Sequence, residues 1–293
     1  MTEKREGIII KGYGGFYFVQ GEEAIYTCSL RGRLRKSSKG VLVGDRVLLT
    51  VLEEEKGVVE EVFPRTSQLL RPKVANVDTA LVVFAAADPE PDWFLVDRLL
   101  ILIQLAGIEP AICCNKIDLL PKEACDGLEP YKKAGFTVFK ASAKEKIGRE
   151  ELIDFLTDRV TVLAGQSGVG KSSILNMLLP SWQLLTGDIS QKLGRGKHTT
   201  RYSELLALPK GGWVVDSPGF SLLDLPEDLT QKQLMLCYPE MKRAEPCRFD
   251  GCLHHKEPDC GVKELLESKE FDLGRYERYI AFLTELQDRE EKY

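Results

Sequence analysis

The stretch Gly165-Gln166-Ser167-Gly168-Val169-Gly170-Lys171-Ser172 decides how this chain is read. It is a complete G-x-x-x-x-G-K-[ST] pattern, and Ser173 follows it directly. The apolar run Val160–Ala164 precedes it, and the helix-forming segment Lys171–Leu179 continues from it. Strand, glycine-rich turn and helix in that order make a cradle for a polyphosphate. The glycines let backbone N–H groups converge on a β-phosphate, and the helix N-terminus adds a favourable dipole. Lys171 is then placed to reach the β- and γ-phosphates, and Ser172 to set its hydroxyl on Mg²⁺.

The phosphate loop specifies a nucleoside triphosphate but not the base. Asn115-Lys116-Ile117-Asp118 lies about fifty residues earlier, after the apolar strand candidate Glu109–Cys114. A carboxylate at Asp118 accepts from both N1–H and the exocyclic amine of guanine. Adenine lacks that donor pair and would leave the acid unpaired, at a cost. Lys116 is expected to lie along the base and Asn115 to tie segments together. Ala141-Ser142-Ala143-Lys144 follows the next strand, so Ser142 and Ala143 are candidate backup contacts to the base. Asp216-Ser217-Pro218-Gly219, after the strand candidate Gly212–Val215, has the form of a DxxG switch. Asp216 would approach Mg²⁺ through water, and the Gly219 N–H would face the γ-phosphate.

The glycine-rich, basic segment Thr186–Arg201 stands where the first switch belongs. Thr199 or Thr200 is expected to complete the Mg²⁺ shell, and His198 to orient water or stabilise charge. Phe220 occupies the place where many GTPases carry a water-orienting Gln. A phenyl ring cannot hydrogen-bond water, so slow intrinsic hydrolysis with stimulation by a partner is expected. In ordinary GTPases the phosphate loop comes first and the base-reading motif follows. Here the order is inverted, and the chain looks like a circularly permuted GTPase.

The rest of the chain bounds this reading. Its 293 residues allow two or three domains. It has no apolar run long enough for a membrane span and a poor signal peptide, so no membrane contact and a cytoplasmic location are expected; a monomer is the expected state, though nothing in the sequence derives it. The net charge of −5 argues against a simple nucleic-acid coat, yet basic clusters occur at Arg31, Arg33, Arg35, Lys36 and Lys39, and at Lys192, Arg195, Lys197 and Arg201.

Eight cysteines in a reducing compartment are thiols or metal ligands. Cys28, Cys113, Cys114, Cys125 and Cys237 read as small core residues. Cys247-x4-Cys252-x-His254-x5-Cys260 is a Cys₃His set suited to one closed, tetrahedral, structural Zn²⁺ site, with His255 as an alternative to His254.

The fold class expected is multidomain. Residues 1–68 hold five short β-rich stretches, which suit an OB-like barrel, with an SH3-like barrel as the alternative. Residues 69–223 alternate apolar strands and helices, as an α/β permuted P-loop GTPase domain would. Residues 224–293 form a mostly helical zinc-binding domain.

Together these residues resemble the ribosome small-subunit-dependent GTPase A family, also known as RsgA or YjeQ/YloQ, over nearly the whole chain. The likeness rests on the permuted motif order, Gly194–Thr200, Asp-Ser-Pro-Gly-Phe at 216–220, and Cys247–Cys260. The resemblance implies a GTPase acting late in maturation of the small (30S) ribosomal subunit, with GTP and GDP as ligands. It also implies zinc on Cys247, Cys252, His254 and Cys260, binding of 16S rRNA through the barrel and zinc domain, and hydrolysis stimulated by the subunit. Tyr13, Phe16 and Tyr17 are read either as lying near the face an RNA would meet on an OB-fold or as core residues of the barrel. Two rivals are a permuted GTPase acting on the large subunit and a nucleic-acid-binding module with a degenerate pocket. Intact Lys171, Ser172 and Asp216 speak against the second.

Overall fold

A computed structural model describes residues 3–35, 40–53, 55–119, 126–180, 203–216 and 224–290. The chain divides into two compact units, one made of Met1–Leu81, Gly148–Ala164 and Lys171–Ser221, the other of Val82–Ile147, Gly165–Gly170 and Leu222–Tyr293.

In the first unit, period-two alternation builds β1 (Lys4–Tyr13), β2 (Phe16–Gln20), β3 (Ile25–Leu30), β4 (Arg46–Glu53) and β5 (Lys56–Val62). In β3 the inward positions are Tyr26, Cys28 and Leu30. Ile9, Val19, Cys28, Val47, Leu49 and Val59 are fully buried and form the barrel core. The ladder runs β1–β2–β3–β5–β4 and closes through β1–β4, with Arg5 opposite Leu49. β3 and β5 are parallel, and the other pairings are antiparallel. Closure leaves no free sheet edge. This is the OB-like arrangement expected, and the parallel β3–β5 pair is what alternation along the sequence could not reveal.

A one-turn helix, α1 (Gly32–Arg35), follows β3, and a short hairpin, β6 (Gln68–Leu70) with β7 (Lys73–Ala75), follows the barrel. The connector is fastened by Arg65, whose guanidinium donates to both oxygens of the fully buried Asp45 at 2.7 and 2.8 Å.

β8 (Thr79–Ala85) is buried at every residue, as a strand covered on both faces must be, and it passes from the first unit into the second. The second unit continues with α2 (Trp93–Leu105), β9 (Glu109–Asn115), α3 (Glu129–Ala134) and β10 (Thr137–Lys140), the last parallel to β9. Asp92 caps α2 by accepting from the Leu95 N–H at 2.9 Å.

Back in the first unit lie α4 (Arg149–Leu156), β11 (Val160–Ala164), α5 (Lys171–Leu178), β12 (Glu204–Ala207) and β13 (Trp213–Asp216). β11 and β13 are parallel, β12 is antiparallel to β13, and β12 also pairs with barrel strand β1, Lys11 opposite Glu204. The barrel and these strands therefore share one hydrogen-bonded sheet.

The second unit ends in α6 (Gln231–Leu236), α7 (Gly261–Glu267) and α8 (Leu273–Glu290). A capping box between Thr230 and Gln233 starts α6. Helix α8 lies against α2 through Phe94 and Phe282, with ring centroids 4.3 Å apart. Beside them Arg275, 1% exposed, pairs with Asp97 and Glu240, while Arg278 takes the other Asp97 oxygen. The Arg275 guanidinium also stacks 4.6 Å from the Tyr131 ring. Such a network adds little net stability, but removing one member leaves a buried charge unmatched and costs about 3–5 kcal/mol. It fixes which face of α8 meets α2. Among the described residues no helix is long and apolar enough to cross a membrane.

Candidate functional site

Burial of β11 delivers the phosphate loop, and two of its glycines are fixed by close approach. Gly165 has φ +133, and a Cβ there would sit 2.0 Å from the Val83 carbonyl oxygen. Gly170 has φ +96, and a Cβ there would sit 2.3 Å from Asn115 Nδ2. Any side chain at either place collides with fixed atoms as well as straining the backbone. Gln166, Ser167 and Gly168 are exposed, whereas Val169 is buried. Lys171, Ser172 and Ser173 open α5, the lysine half-buried and both serines exposed. Burial pushes the Lys171 ammonium below its ordinary value. A triphosphate beside it would favour the charged form.

Asn115 is 1% exposed and works as a two-handed clamp. Its Nδ2 donates to the Val169 carbonyl at 3.0 Å, and its Oδ1 accepts from the Ala143 N–H at 3.1 Å. One amide thus holds the phosphate loop and the Ser142–Ala143 loop together. Lys116, at φ +62, donates through Nζ to the Asp88 carbonyl oxygen. Ile117 donates its N–H to the Ala141 carbonyl at 3.2 Å. Exposed Asp118 accepts from the Ser142 hydroxyl at 2.6 Å, and Ser142 in turn accepts from the Glu145 N–H at 3.1 Å. The Ser142 hydrogen bond holds the Asp118 carboxyl below the usual carboxylate range, and Lys144 and Lys116 pull the same way. It is therefore an ionised acceptor at neutral pH, as reading a paired N–H donor requires.

The Asp88–Pro89 turn was not visible as part of the site in sequence. Besides receiving Lys116, it places Pro89 Cδ 3.8 Å from where a Gly168 Cβ would stand. The available signal was two X-Pro pairs, Asp88-Pro89 and Glu90-Pro91, directly after a buried strand. Asp216 ends β13. Burial raises its carboxyl above the ordinary range, Glu204 adds to that, and Lys11 opposes it. His198, Thr199, Thr200, Gly219, Phe220, Cys125, Lys36, Lys39 and the basic residues from Lys192 to Arg201 lie outside the described residues.

The metal-ligand candidates meet on the second unit. The ligand atoms of Cys247, Cys252, His254 and Cys260 all lie within 4.8 Å of one another. Cys247 Sγ is 3.5 Å from His254 Nδ1 and 3.9 Å from Cys260 Sγ, and His254 Nδ1 is 3.4 Å from Cys260 Sγ. A tetrahedron with ordinary Zn–S and Zn–N bonds has edges of about 3.8 Å between sulfurs and about 3.5 Å from sulfur to nitrogen. The donor set therefore fits zinc in spacing as well as in type. His255 stays outside the cluster, so the choice between adjacent histidines falls on His254. Burial pushes the Cys252 thiol upward, and a bound dication would favour its thiolate instead.

The zinc loop has its own supports. Glu257 accepts from the backbone N–H groups of Leu253 at 2.9 Å and His255 at 2.8 Å, on either side of the ligand histidine. Tyr276 and Tyr279, both on α8, donate to the carbonyls of His254 and Leu253 at 2.6 and 2.7 Å. Glu257→Gln should therefore weaken zinc retention about 10–100-fold, read by competition with a chromogenic chelator. Unchanged retention would mean that Glu257 does not hold the loop.

The chain resembles known proteins along nearly all of its length. Residues 62–226 match the family model described as RsgA GTPase, and residues 6–59 match the RsgA N-terminal domain. A protein of Carboxydothermus hydrogenoformans called small ribosomal subunit biogenesis GTPase RsgA is 45% identical, over 96% of this chain and 97% of its own. One of the same name from Ruminiclostridium cellulolyticum is 46% identical, over 96% and 94%. Among solved structures, YjeQ from Thermotoga maritima superposes with TM-score 0.83 at 34% identity, covering 97% of this chain and 99% of that one. YloQ, described as a circularly permuted GTPase, gives TM-score 0.83 at 36% identity, covering 98% and 96%.

Proposed function

The chain belongs to the RsgA GTPase family, and we propose that it hydrolyses GTP during biogenesis of the small ribosomal subunit, acting on that subunit through 16S rRNA. The observation that carries the guanine reading is the Asn115 clamp, which sets the ionised Asp118 and its Ser142 partner beside the phosphate loop.

We assign the roles as follows. Asp118 accepts from guanine N1–H and the exocyclic amine, with Lys116, Ile117, Ser142 and Ala143 framing the base. Backbone N–H groups of Gly165–Gly170 and the Lys171 ammonium bind the phosphates, and Ser172 with Asp216 would hold Mg²⁺. When bound, that ion neutralises charge developing on the β- and γ-oxygens. Ser173, Thr199 or Thr200, and the Gly219 N–H complete the surroundings of the triphosphate. His198 orients the attacking water, a task Phe220 cannot perform. His198→Ala should lower turnover about 10²-fold or more while leaving GTP affinity unchanged, measured by phosphate release and equilibrium binding. Equal turnover in the two proteins would remove the histidine from the mechanism.

The Cys₃His cluster holds one structural zinc. We further assign residues 1–68, 69–223 and 224–293 to barrel, GTPase and zinc domains of a cytoplasmic monomer. Tyr13 and Phe16, 67% and 54% exposed at the β1–β2 turn, suit stacking on unpaired bases. The decisive experiment measures GTP turnover with purified small subunits, with large subunits and alone, alongside co-sedimentation. Stimulation by small subunits only is expected. Stimulation by large subunits, or none by either, would overturn the assignment.

A further inference from the structure

Three charged residues lie in one row across three strands. Lys11 on β1 is directly opposite Glu204 on β12, and Glu204 is directly opposite Asp216 on β13. Directly paired residues project from the same face of a sheet, so the three side chains are neighbours. Lys11 Nζ and Glu204 Oε2 are 2.9 Å apart, each side chain 37% exposed. A register shift between Ile9 and Lys11 in the β1–β2 ladder re-aims β1 immediately before the lysine. Two carboxylates facing each other across a strand pair repel, and a cation on the far side of one of them relieves the repulsion. The barrel supplies that cation.

We propose that Lys11 is a positioning residue for the magnesium-linked carboxylate of Asp216, acting through Glu204. The inference rests on the role given to Asp216 above. With Lys11 in place, Glu204 is engaged and the row carries a net charge of −1. Without Lys11, Glu204 adds its full charge beside Asp216 and draws a dication more strongly. Without Glu204, Lys11 is unopposed and the same place becomes less attractive to a dication. The barrel therefore tunes the metal requirement of hydrolysis from outside the nucleotide-binding motifs. Its effect is moderate, because the pair is partly exposed and screened by salt.

The test is GTP turnover by the full chain against free Mg²⁺, alongside direct titration of Mn²⁺ into the GDP-bound protein, read by electron paramagnetic resonance of the free ion, where the same shifts are expected without hydrolysis. Lys11→Met should lower the half-saturating Mg²⁺ about three- to tenfold, and Glu204→Gln should raise it by a similar factor. The double variant should return to within about twofold of wild type, since the charge balance is restored. Lys11→Arg should keep the wild-type value. At about 1 M salt both single-variant shifts should shrink, because the screening length falls to about 3 Å. A merely structural pair would move both single variants in the same direction, or neither, and either outcome overturns the proposal. Glu204→Gln is isosteric and carries the test alone should Lys11→Met loosen the β1–β12 pairing. Wild-type turnover indifferent to Mg²⁺ would overturn the role of Asp216 itself, which separates that failure from this one.

Discussion

Stripping zinc from the full chain with a chelator, or replacing Cys260 by Ser, should unfold the segment around residues 247–260. Besides the ligands, that segment is held among the described residues only by scattered polar contacts, chiefly those of Glu257, Tyr276 and Tyr279 and the Arg248–Asp259 pair. Between Ala244 and Gly261 it contains no regular helix or strand among the described residues, and its buried side chains are chiefly the ligands Cys252, His254 and Cys260. Structural zinc in small domains contributes about 10–16 kcal/mol of apparent binding free energy, all of it tied to folding. The tyrosine bonds from α8 and the Glu257 clamp contribute about 1–3 kcal/mol each and cannot replace it. Limited proteolysis should cut the chelated protein within this segment, with about one equivalent of zinc released. His255→Ala should retain its zinc and its protease resistance, since that ring lies outside the cluster. Full resistance after complete zinc removal would show that the segment folds without the ion.

Asp118→Asn should abolish the preference for GTP over ATP. Two hydrogen bonds from guanine to a carboxylate are lost or weakened, each worth about 1.5–3 kcal/mol, so affinity for GTP falls about 10³-fold. The amide oxygen of the new residue can still accept from Ser142, which keeps the loop folded. Its NH₂ group now donates where the acid accepted, and a base with a carbonyl in place of the exocyclic amine should gain what guanine loses. Competition binding with GTP, ATP and xanthosine triphosphate measures all three. Undiminished preference for GTP in the variant, or equal affinity of the wild type for ATP and GTP, removes Asp118 from base recognition.

The parts legible in sequence are those whose chemistry is local. The phosphate loop, the Asn-Lys-x-Asp turn and the Cys/His spacing each sit within fewer than fifteen residues, and a short window dictates their backbone. The strands of the barrel showed through alternation. Their pairing did not, because parallel contact between β3 and β5 leaves no trace in periodicity. The Asn115 clamp was legible only as a loose tie, since its partners Val169 and Ala143 lie 54 and 28 positions away. Lys11 and Glu204 are separated by 193 positions, and each alone reads as a solvated surface charge. Glu257 was invisible for another reason. Its partners are backbone N–H groups, which carry no residue identity.

One amide makes the joint between the phosphate loop and the loop behind the base. Covalent succession is therefore incidental to the pocket, and only the joint must survive. Splicing the coding sequence to restore the common motif order should yield a chain that still assembles around Asn115. What such a rearranged gene would forfeit is the chain order that sets the helical C-terminal region, with its Cys/His cluster, after β13 in sequence.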